Sequence, residues 1–591
     1  MDRRQTTAVA VVGLLLAVGG AAVVYGGALA EGTADQQFAE VSNSIGFDHF
    51  PIQEPDNPPG SGRQGVYVAD YDNDNWDDLL IVGGRESPSL YENVGGEFER
   101  SGALPEDPLM DTKFKGALFF DYDSDGWRDL LLLAPAPKSS VFLENDNGSY
   151  RIEQTGLFFQ MPNGATALDY NGDGCLDVFV YQNGDWGDRT PLAYQNPNGT
   201  VTTDNGNPNY LLEGDCSSFE LAEGAGINGS HWSLAASAVD FDGDGRTDIH
   251  VANDFYNDTL YYNEGNGTFE RVPLGASTDR NGMSSEVGDV NGDGRPDLFV
   301  TNILIPELED CTPGATDCSS VGPYIRRYVG DRNLGNNLLI NEGGRSFVDR
   351  ASAYGVTKGG WGWAASIRDF DNDGWTELFH ATEELPIQGR ENLSRTVYYD
   401  RAGSGSFQKE NASRLGFETH AGRGVATLDH DRDGDLDIVV AEHPENTVFD
   451  IHFYENRAGD DENWLQVDVR HGDGVPAIGS RVEVDTGERT VVRWVTPRTD
   501  FFSQEARVVH LGLGSDERVE RVRVVWPDGT ERTISDVEAN QELVVSPNGV
   551  SRLDGPATDD EGGLLPFDVS SLGATAKRVA GLVGDVLPFA Q

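Results

Sequence analysis

Lysine is nearly missing from this 591-residue chain: it supplies only six of the 43 basic residues, against 99 acidic ones, for a net charge of −56. That deficit excludes nucleic acid as a partner, because such affinity comes chiefly from Lys and Arg neutralising phosphates. Cysteine is scarce too, four in all and without a C-x-x-C spacing, which argues against zinc frameworks. Nor is there a G-x-S-x-G, H-E-x-x-H or Walker-type loop, and the ten histidines form no constellation, so no catalytic residues are assigned. The acidity itself has two readings. It resembles the composition of proteins from high salt, where short screening lengths relieve self-repulsion, or it reflects cation sites.

Charge is also absent from Gln5 to Ala30, after Asp2-Arg3-Arg4. The run is long enough to span a bilayer, which needs about 20 residues, and it ends in an A-x-A-like Ala28-Leu29-Ala30. Residues 1–30 are therefore a hydrophobic helix, either a cleaved signal peptide or a retained transmembrane anchor, and Arg3-Arg4 also fits twin-arginine export. Each version puts the body outside the cytoplasm, extracellular or at the cell surface. Disulfides suit that compartment, with Cys311 pairing to Cys318 inside a Pro/Gly-rich insertion and Cys175 to Cys216 as the second bridge.

What the chain has in abundance is one nine-residue acidic phrase, written seven times. In the first copy the candidate ligands are Asp70, Asp72, Asp74, Asp78 and the Trp76 carbonyl. In the second they are Asp121, Asp123, Asp125, Asp129 and the Trp127 carbonyl. The third offers Asp169, Asn171, Asp173, Asp177 and the Cys175 carbonyl; the fourth Asp240, Asp242, Asp244, Asp248 and Arg246. The fifth offers Asp289, Asn291, Asp293, Asp297 and Arg295; the sixth Asp369, Asp371, Asp373, Glu377 and Trp375. The seventh offers Asp429, Asp431, Asp433, Asp437 and Asp435. Oxygens at positions 1, 3, 5 and 9 plus a backbone carbonyl at position 7 suit Ca²⁺, which takes six to eight of them, and up to seven ions are expected. Glycine at position 6, or Asn75 in the first copy, permits the left-handed turn. An EF-hand is excluded, because position 12 is never acidic and short apolar runs such as "DLLIV" follow, as buried strands do.

Each loop and strand leads into phrases such as "LYENVGGEFE", a strand, an Asn/Gly turn and a strand. Four strands over roughly fifty residues make one propeller blade. The fold class is thus all-β, a seven-bladed propeller over residues 36–458, with insertions after Tyr181 and Ile303 as loops on one rim. An aromatic residue opens each blade's last strand, and the first, Phe38, precedes any blade. The N-terminal strand is expected to complete the seventh blade and close the ring. The repeats resemble FG-GAP/VCBS repeats, the calcium-bearing propeller type also found in integrin α subunits.

From Asn463 to Pro547 alternating strands predict a small β-sandwich. Asn463-Trp464-Leu465, Ala477-Ile478-Gly479, Ser503-Gln504, His510 to Gly514, Trp526 to Gly529 and Asn540-Gln541 resemble the ASPIC/UnbV domain, with "PRTDFFSQ" a mild departure. Propeller followed by this domain resembles the arrangement of the cartilage acidic protein family. That implies a secreted calcium-binding protein and assigns no reaction. Residues 548–591 read as an acidic linker and an amphipathic helix or a disordered tail.

Two function classes follow. One is an exported protein of extracellular binding or adhesion, with structural calcium and a protein or glycan ligand. The alternative is a secreted polysaccharide-active propeller enzyme, a lyase or glycosidase. Trp232, Trp361 and Trp363 read as core or as a sugar-stacking face, and seven Asn-x-Ser/Thr sequons suit an exported surface.

Overall fold

A computed structural model describes residues 36–47, 52–53, 64–83, 87–184, 205–275, 278, 281–304, 334–383, 396–401, 403, 405–417, 422–442, 448–449, 451–458, 462–472 and 474–553. The N-terminal apolar segment, the Cys311–Cys318 pair, His420 and the C-terminal segment beyond Leu553 lie outside the described residues. Among those described, no helix is long and apolar enough to cross a membrane.

The acidic phrases do what their spacing demands: each joins the first and second strands of an antiparallel sheet. In sheet 2, Gly116–Phe120, Asp129–Leu133, Ser140–Asn145 and Tyr150–Leu157 pair in that order. The first two strands are buried at every position, whereas the fourth, after the buried Tyr150, runs half-buried and exposed. Continuous apolar runs therefore form where a strand is covered on both faces, and alternation returns at the rim. The same four-stranded order begins at Gln64 in sheet 1, Pro162 in sheet 3, Trp232 in sheet 4, Glu286 in sheet 5, Trp361 in sheet 6 and Gly422 in sheet 7.

Sheet 7 takes its fourth strand from the other end of the chain. Phe38–Glu40 pairs antiparallel with Asn456–Tyr454, as the position of the first aromatic predicts. An apolar cluster lies between each pair of successive sheets, and one more, with Phe47, Val66 and Leu79 against Ala426, Val439 and Phe453, joins sheet 7 to sheet 1. The fold is all-β and propeller-like.

The C-terminal module is a sandwich of two four-stranded sheets over its own valine-rich core. Its last strand is Gly549–Leu553, paired with Glu542–Ser546. The sandwich thus runs six residues past the expected end at Pro547: Pro547-Asn548 is a hairpin turn, not the start of a linker. A short hairpin, Thr499–Asp500 and Ser503–Gln504, leaves the sandwich and joins sheet 1, where Val66 and Tyr67 pair in parallel with Ser503 and Gln504.

Candidate metal centres

Two left-handed residues bend every acidic loop, at position 4 as well as at the expected position 6. In the first copy they are Asn73 (φ 59°) and Asn75 (φ 71°); in the second, Ser124 (φ 63°) and Gly126 (φ 91°). The double bend turns the carboxylates inward. In every copy but the sixth the position 1 carboxylate closes the loop by accepting the loop's own backbone N–H groups, as Asp121 does from Asp125 (3.2 Å) and Gly126 (2.9 Å). The position 5 carboxylate accepts from the position 7 N–H, for example Trp127 to Asp125 at 2.9 Å. The bond recurs in every copy, with the N–H groups of Trp76, Trp127, Cys175, Arg246, Arg295, Trp375 and Asp435 donating to Asp74, Asp125, Asp173, Asp244, Asp293, Asp373 and Asp433, so the residue expected to offer its carbonyl is anchored at its N–H.

Position 9 does two jobs. Asp129 accepts from Tyr122 N–H (3.0 Å) and from Asn145 N–H (2.9 Å), stapling its loop to the third strand. Asp78, Asp177, Asp248, Asp297 and Asp437 make the same pair of bonds. Its oxygens also converge on the cluster: in copies 1, 2, 4 and 6, carboxylate oxygens of positions 1, 3 and 9 lie within 4.8 Å of one another.

Packing so many carboxylates together without a counter-charge raises their proton affinity. Burial, opposed by Arg128 and aided by Asp72, pushes Asp70 up to about 6. Burial outweighs two N–H bonds to lift Asp129 to about 8 and Asp177 to about 7. Asp369, Glu377 and Asp429 rise well above the usual range, from burial first and neighbouring aspartates second. One oxygen of each of these three side chains is buried with no hydrogen-bond partner: Asp369 Oδ1, Glu377 Oε1 and Asp429 Oδ1. Unpaired buried carboxylate oxygens are costly, and a hard cation is the partner that matches them.

The copies are not equal. In the third and fifth, Asn171 and Asn291 donate to Asp173 and Asp293, each at 2.9 Å, so an amide replaces one charge. In the fourth and fifth, the position 7 side chains Arg246 and Arg295 fold back onto Asp244 and Asp293, and Arg345 donates to Asp242 at 2.7 Å. In the seventh, His430 Nδ1 meets Asp437 at 2.6 Å. Burial disfavours its charge, but the bond and charge of Asp437, with Asp431 and Asp429, raise it to about 9. These internal cations are the residues that spacing alone overlooked. The best all-carboxylate fits are the first, second and sixth loops.

Neighbouring loops are tied. The asparagine ending the third strand donates to the position 2 carbonyl of the preceding loop: Asn145 to Tyr71 (2.7 Å), Asn263 to Tyr170 (2.8 Å), Asn341 to Phe241 (2.8 Å) and Asn456 to Phe370 (2.6 Å). Asn93 completes the circuit by donating to His430 of sheet 7 at 2.8 Å. The recurrent Asn in "LYEN" and "FLEN" was the available signal.

The sandwich rests on this side of the sheets. Gly512 N–H donates to Asp369 (3.0 Å), Gln466 to Asp429 (2.7 Å), and His510 contacts Asn372 at 2.8 Å. The predicted Cys175–Cys216 disulfide is present. Trp232 and Trp363 are core, Trp363 stacking on Phe501 of the hairpin with centroids 4.8 Å apart, and Trp361 packs half-buried beside it. His231 is buried and stacked on Tyr256, 4.2 Å between centroids. Asn147, Asn228 and Asn266 of the sequons are exposed, and Asn257 is half-buried.

Residues 70–132, 121–180 and 240–300 match the FG-GAP-like repeat, and residues 472–552 match the family described as ASPIC and UnbV. The chain is 24% identical to cartilage acidic protein 1 of Mus musculus over 552 residues, covering 87% of this chain and 77% of that protein. The figures for Homo sapiens are 24% over 583 residues, 89% and 77%. A crystal structure of BBS1N in complex with ARL6DN, soaked with lead, aligns with TM-score 0.37 and 8% identity, covering 70% of this chain and 99% of that one. The chain carries FG-GAP-like repeats followed by an ASPIC and UnbV domain, and resembles cartilage acidic protein 1 over most of its length.

Proposed function

We propose that the seven sheets are the blades of one closed propeller whose acidic loops hold structural Ca²⁺, and that the protein is a non-enzymatic extracellular binding or adhesion protein. The calcium reading is carried by the buried, unpartnered oxygens of Asp369, Glu377 and Asp429. In each loop the ligands would be the side chains of positions 1, 3, 5 and 9 and the carbonyl of position 7. The ion supplies positive charge that lets these carboxylates stay ionised at neutral pH, and seven ions would still leave the chain strongly acidic.

The circuit of inter-sheet clusters, closed by Phe38–Glu40, supports the seven-bladed ring. FG-GAP-like repeats and the similarity to a cartilage protein favour an extracellular setting, with which the exposed sequons agree. The sandwich covers the acidic-loop side, so a protein or glycan partner would meet the opposite rim, where the second and third strands of sheets 3, 5, 6 and 7 are joined by long connections, or the outer faces of the sandwich. The clustered carboxylates already serve the loops, which favours binding over hydrolysis.

The test combines metal analysis of the exported protein with a glycan array, a matching activity panel and protein pull-down. Retained calcium that chelator strips, with capture but no turnover, is expected. Calcium-free protein of unchanged melting temperature would refute the metal reading. Turnover abolished by replacing one carboxylate outside the seven loops would favour the polysaccharide-active enzyme.

A further inference from the structure

Position 8 of the acidic phrase is Leu176 in the third copy, Leu436 in the seventh, and Thr247, Pro296 and Thr376 in the fourth, fifth and sixth. The second copy puts a guanidinium there and buries it: Arg128 is only 8% exposed. Its Nη1 is enclosed without a hydrogen-bond partner, and among the described residues no carboxylate lies within ion-pair distance of it. A buried charge is costly unless it is paired, and this chain, with 99 acidic residues, places none of them against Arg128. The counter-charge has to come from elsewhere.

Arg128 lines a cavity of about 80 Å³ between the first and second loops and the sandwich. One water needs roughly 10–15 Å³ by that measure, so the space suits a group of several heavy atoms and not a polymer. Two more guanidiniums line it, Arg470 and Arg507, both turned onto Asp468, at 2.6 and 2.5 Å. Of the carboxylates on the walls, Glu505 and Glu542 are already paired with Arg368 and Arg432. Asp70, Asp121 and Asp429 are position 1 residues, engaged in their own loops. Only Asp77 and Asp468 remain against three arginines. The exposed Asn75 and the half-buried Arg432 and Arg470 belong to the wall, so solvent reaches the cavity from the side.

The guanidinium lies between two acidic loops. Burial raises the proton affinity of Asp70 and Asp121, and Arg128 opposes it in both. With a divalent ion in each loop those carboxylates are spent on the ions, and the surroundings of Arg128 turn positive.

We propose that this cavity is a binding site for a small oxyanion, a sulfate, phosphate or carboxylate, held by Arg128 with Arg470 and Arg507 beside it. The planar guanidinium presents paired N–H groups that match two oxygens of such an ion, a fit that chloride cannot use. The sign of these surroundings rests on the calcium reading of the first and second loops. Without ions, Asp70 and Asp121 are the negative charges that face Arg128. Calcium and the oxyanion therefore reinforce each other, each raising the affinity for the other by the same factor.

The test uses the full chain in calcium buffer at constant ionic strength, titrated calorimetrically with sulfate, phosphate, acetate and chloride. Saturable 1:1 binding of an oxyanion and none of chloride is expected; sulfate and phosphate against acetate separate an inorganic ion from an organic acid. Arg128→Leu, which installs the residue of the third and seventh copies, should weaken binding at least about tenfold at unchanged calcium content. Arg507→Gln removes a second cation and keeps the comparison available if Arg128→Leu does not fold. Arg518→Gln, 45% exposed on the sandwich, is the control and should bind as wild type does. Calcium present with no saturable oxyanion, or equal binding in wild type and both variants, would overturn the site and leave the calcium reading standing. Calcium absent would overturn that reading, and an oxyanion still captured and then lost in Arg128→Leu would uphold the site; with neither bound, both fall.

Discussion

Replacing Phe38 with alanine tests ring closure without touching any acidic loop. The side chain is 0% exposed, and its ring centroid lies 4.5 Å from Phe417, 6.0 Å from Tyr398 and 6.2 Å from Phe370. Burying a phenylalanine is worth about 1.5–3 kcal/mol by transfer alone. The cavity left among three rings that cannot collapse raises the expected loss to about 3–5 kcal/mol. The strand's backbone pairing with Asn456–Tyr454 is untouched, so the variant isolates side-chain anchoring. Urea unfolding in excess calcium reads the loss as a lower midpoint at unchanged slope. Val550→Ala is the control: it sits 40% exposed on the sandwich's outermost strand, and its effect should stay within about 0.5 kcal/mol. Deleting residues 36–47 should cost more than Phe38→Ala. A Phe38→Ala loss no larger than the control's would mean that the first strand does not hold the ring.

Metal-free protein should lose stability as pH rises: Asp70 and Asp121 at about 6, Asp177 and Asp297 at about 7 and Asp129 at about 8 all hold protons more tightly folded than unfolded. That stability is complete below the unfolded value of about 4 and gone once pH passes 6 to 8. In chelator the melting temperature should therefore fall between pH 5 and pH 8, while the increment conferred by calcium grows over the same interval; a calcium increment independent of pH would contradict this. Cys175→Ser with Cys216→Ser opens a link between residues 41 apart, for an expected loss of about 4 kcal/mol on the chain-entropy account, read by urea midpoint against the oxidised parent. Asn145→Ala removes the side-chain donor to the Tyr71 carbonyl (2.7 Å) and one of two donors to the Arg128 carbonyl, which keeps the Tyr150 hydroxyl at 2.8 Å, and should cost about 1–3 kcal/mol by urea midpoint.

The features legible in the sequence are those set by local rules. Nine-residue acidic spacing placed all seven loops, apolar runs placed the second strands, and the unpaired aromatic at Phe38 foretold a strand exchanged between chain ends. Long-range requirements left no such mark. "PRTDFFSQ" shows in the sequence only as a mild departure from the ASPIC/UnbV pattern, because the groups it meets are chiefly backbone N–H and C=O, which every sequence has, on sheets hundreds of residues away. Gly549–Leu553 was missed because an outer strand with three exposed residues lacks the apolar signature of a buried one. The left-handed position 4 is hidden where it is Ser124 or Arg432, residues that take that conformation only because the loop imposes it. Arg246 and Arg295 enter the sequence reading only for their carbonyls, and His430 not at all, until the fold swings their side chains onto a carboxylate.

Those departures share a logic from one sheet to the next. A third-strand asparagine ties five sheets to the loop before and, through a second bond, to its own loop at the position 8 carbonyl. Sheet 3 has Gly214 at that place, where even a Cβ would meet the Leu176 carbonyl at 2.3 Å, so no side chain fits. The covalent link from Cys175, in the same loop, to Cys216 just past the third strand restores the tie to its own loop. Sheet 6 has Arg401 at that place, and its guanidinium reaches across at 2.6 Å to Val290, the position 2 carbonyl of the preceding loop. Amide, disulfide and guanidinium thus meet one mechanical demand: an acidic loop must be held from outside, because its own carboxylates push it open. Calcium bound as proposed would act on the same repulsion, so chelation is expected to loosen sheets 3 and 6 differently from the five that share the asparagine, read as amide hydrogen exchange sheet by sheet.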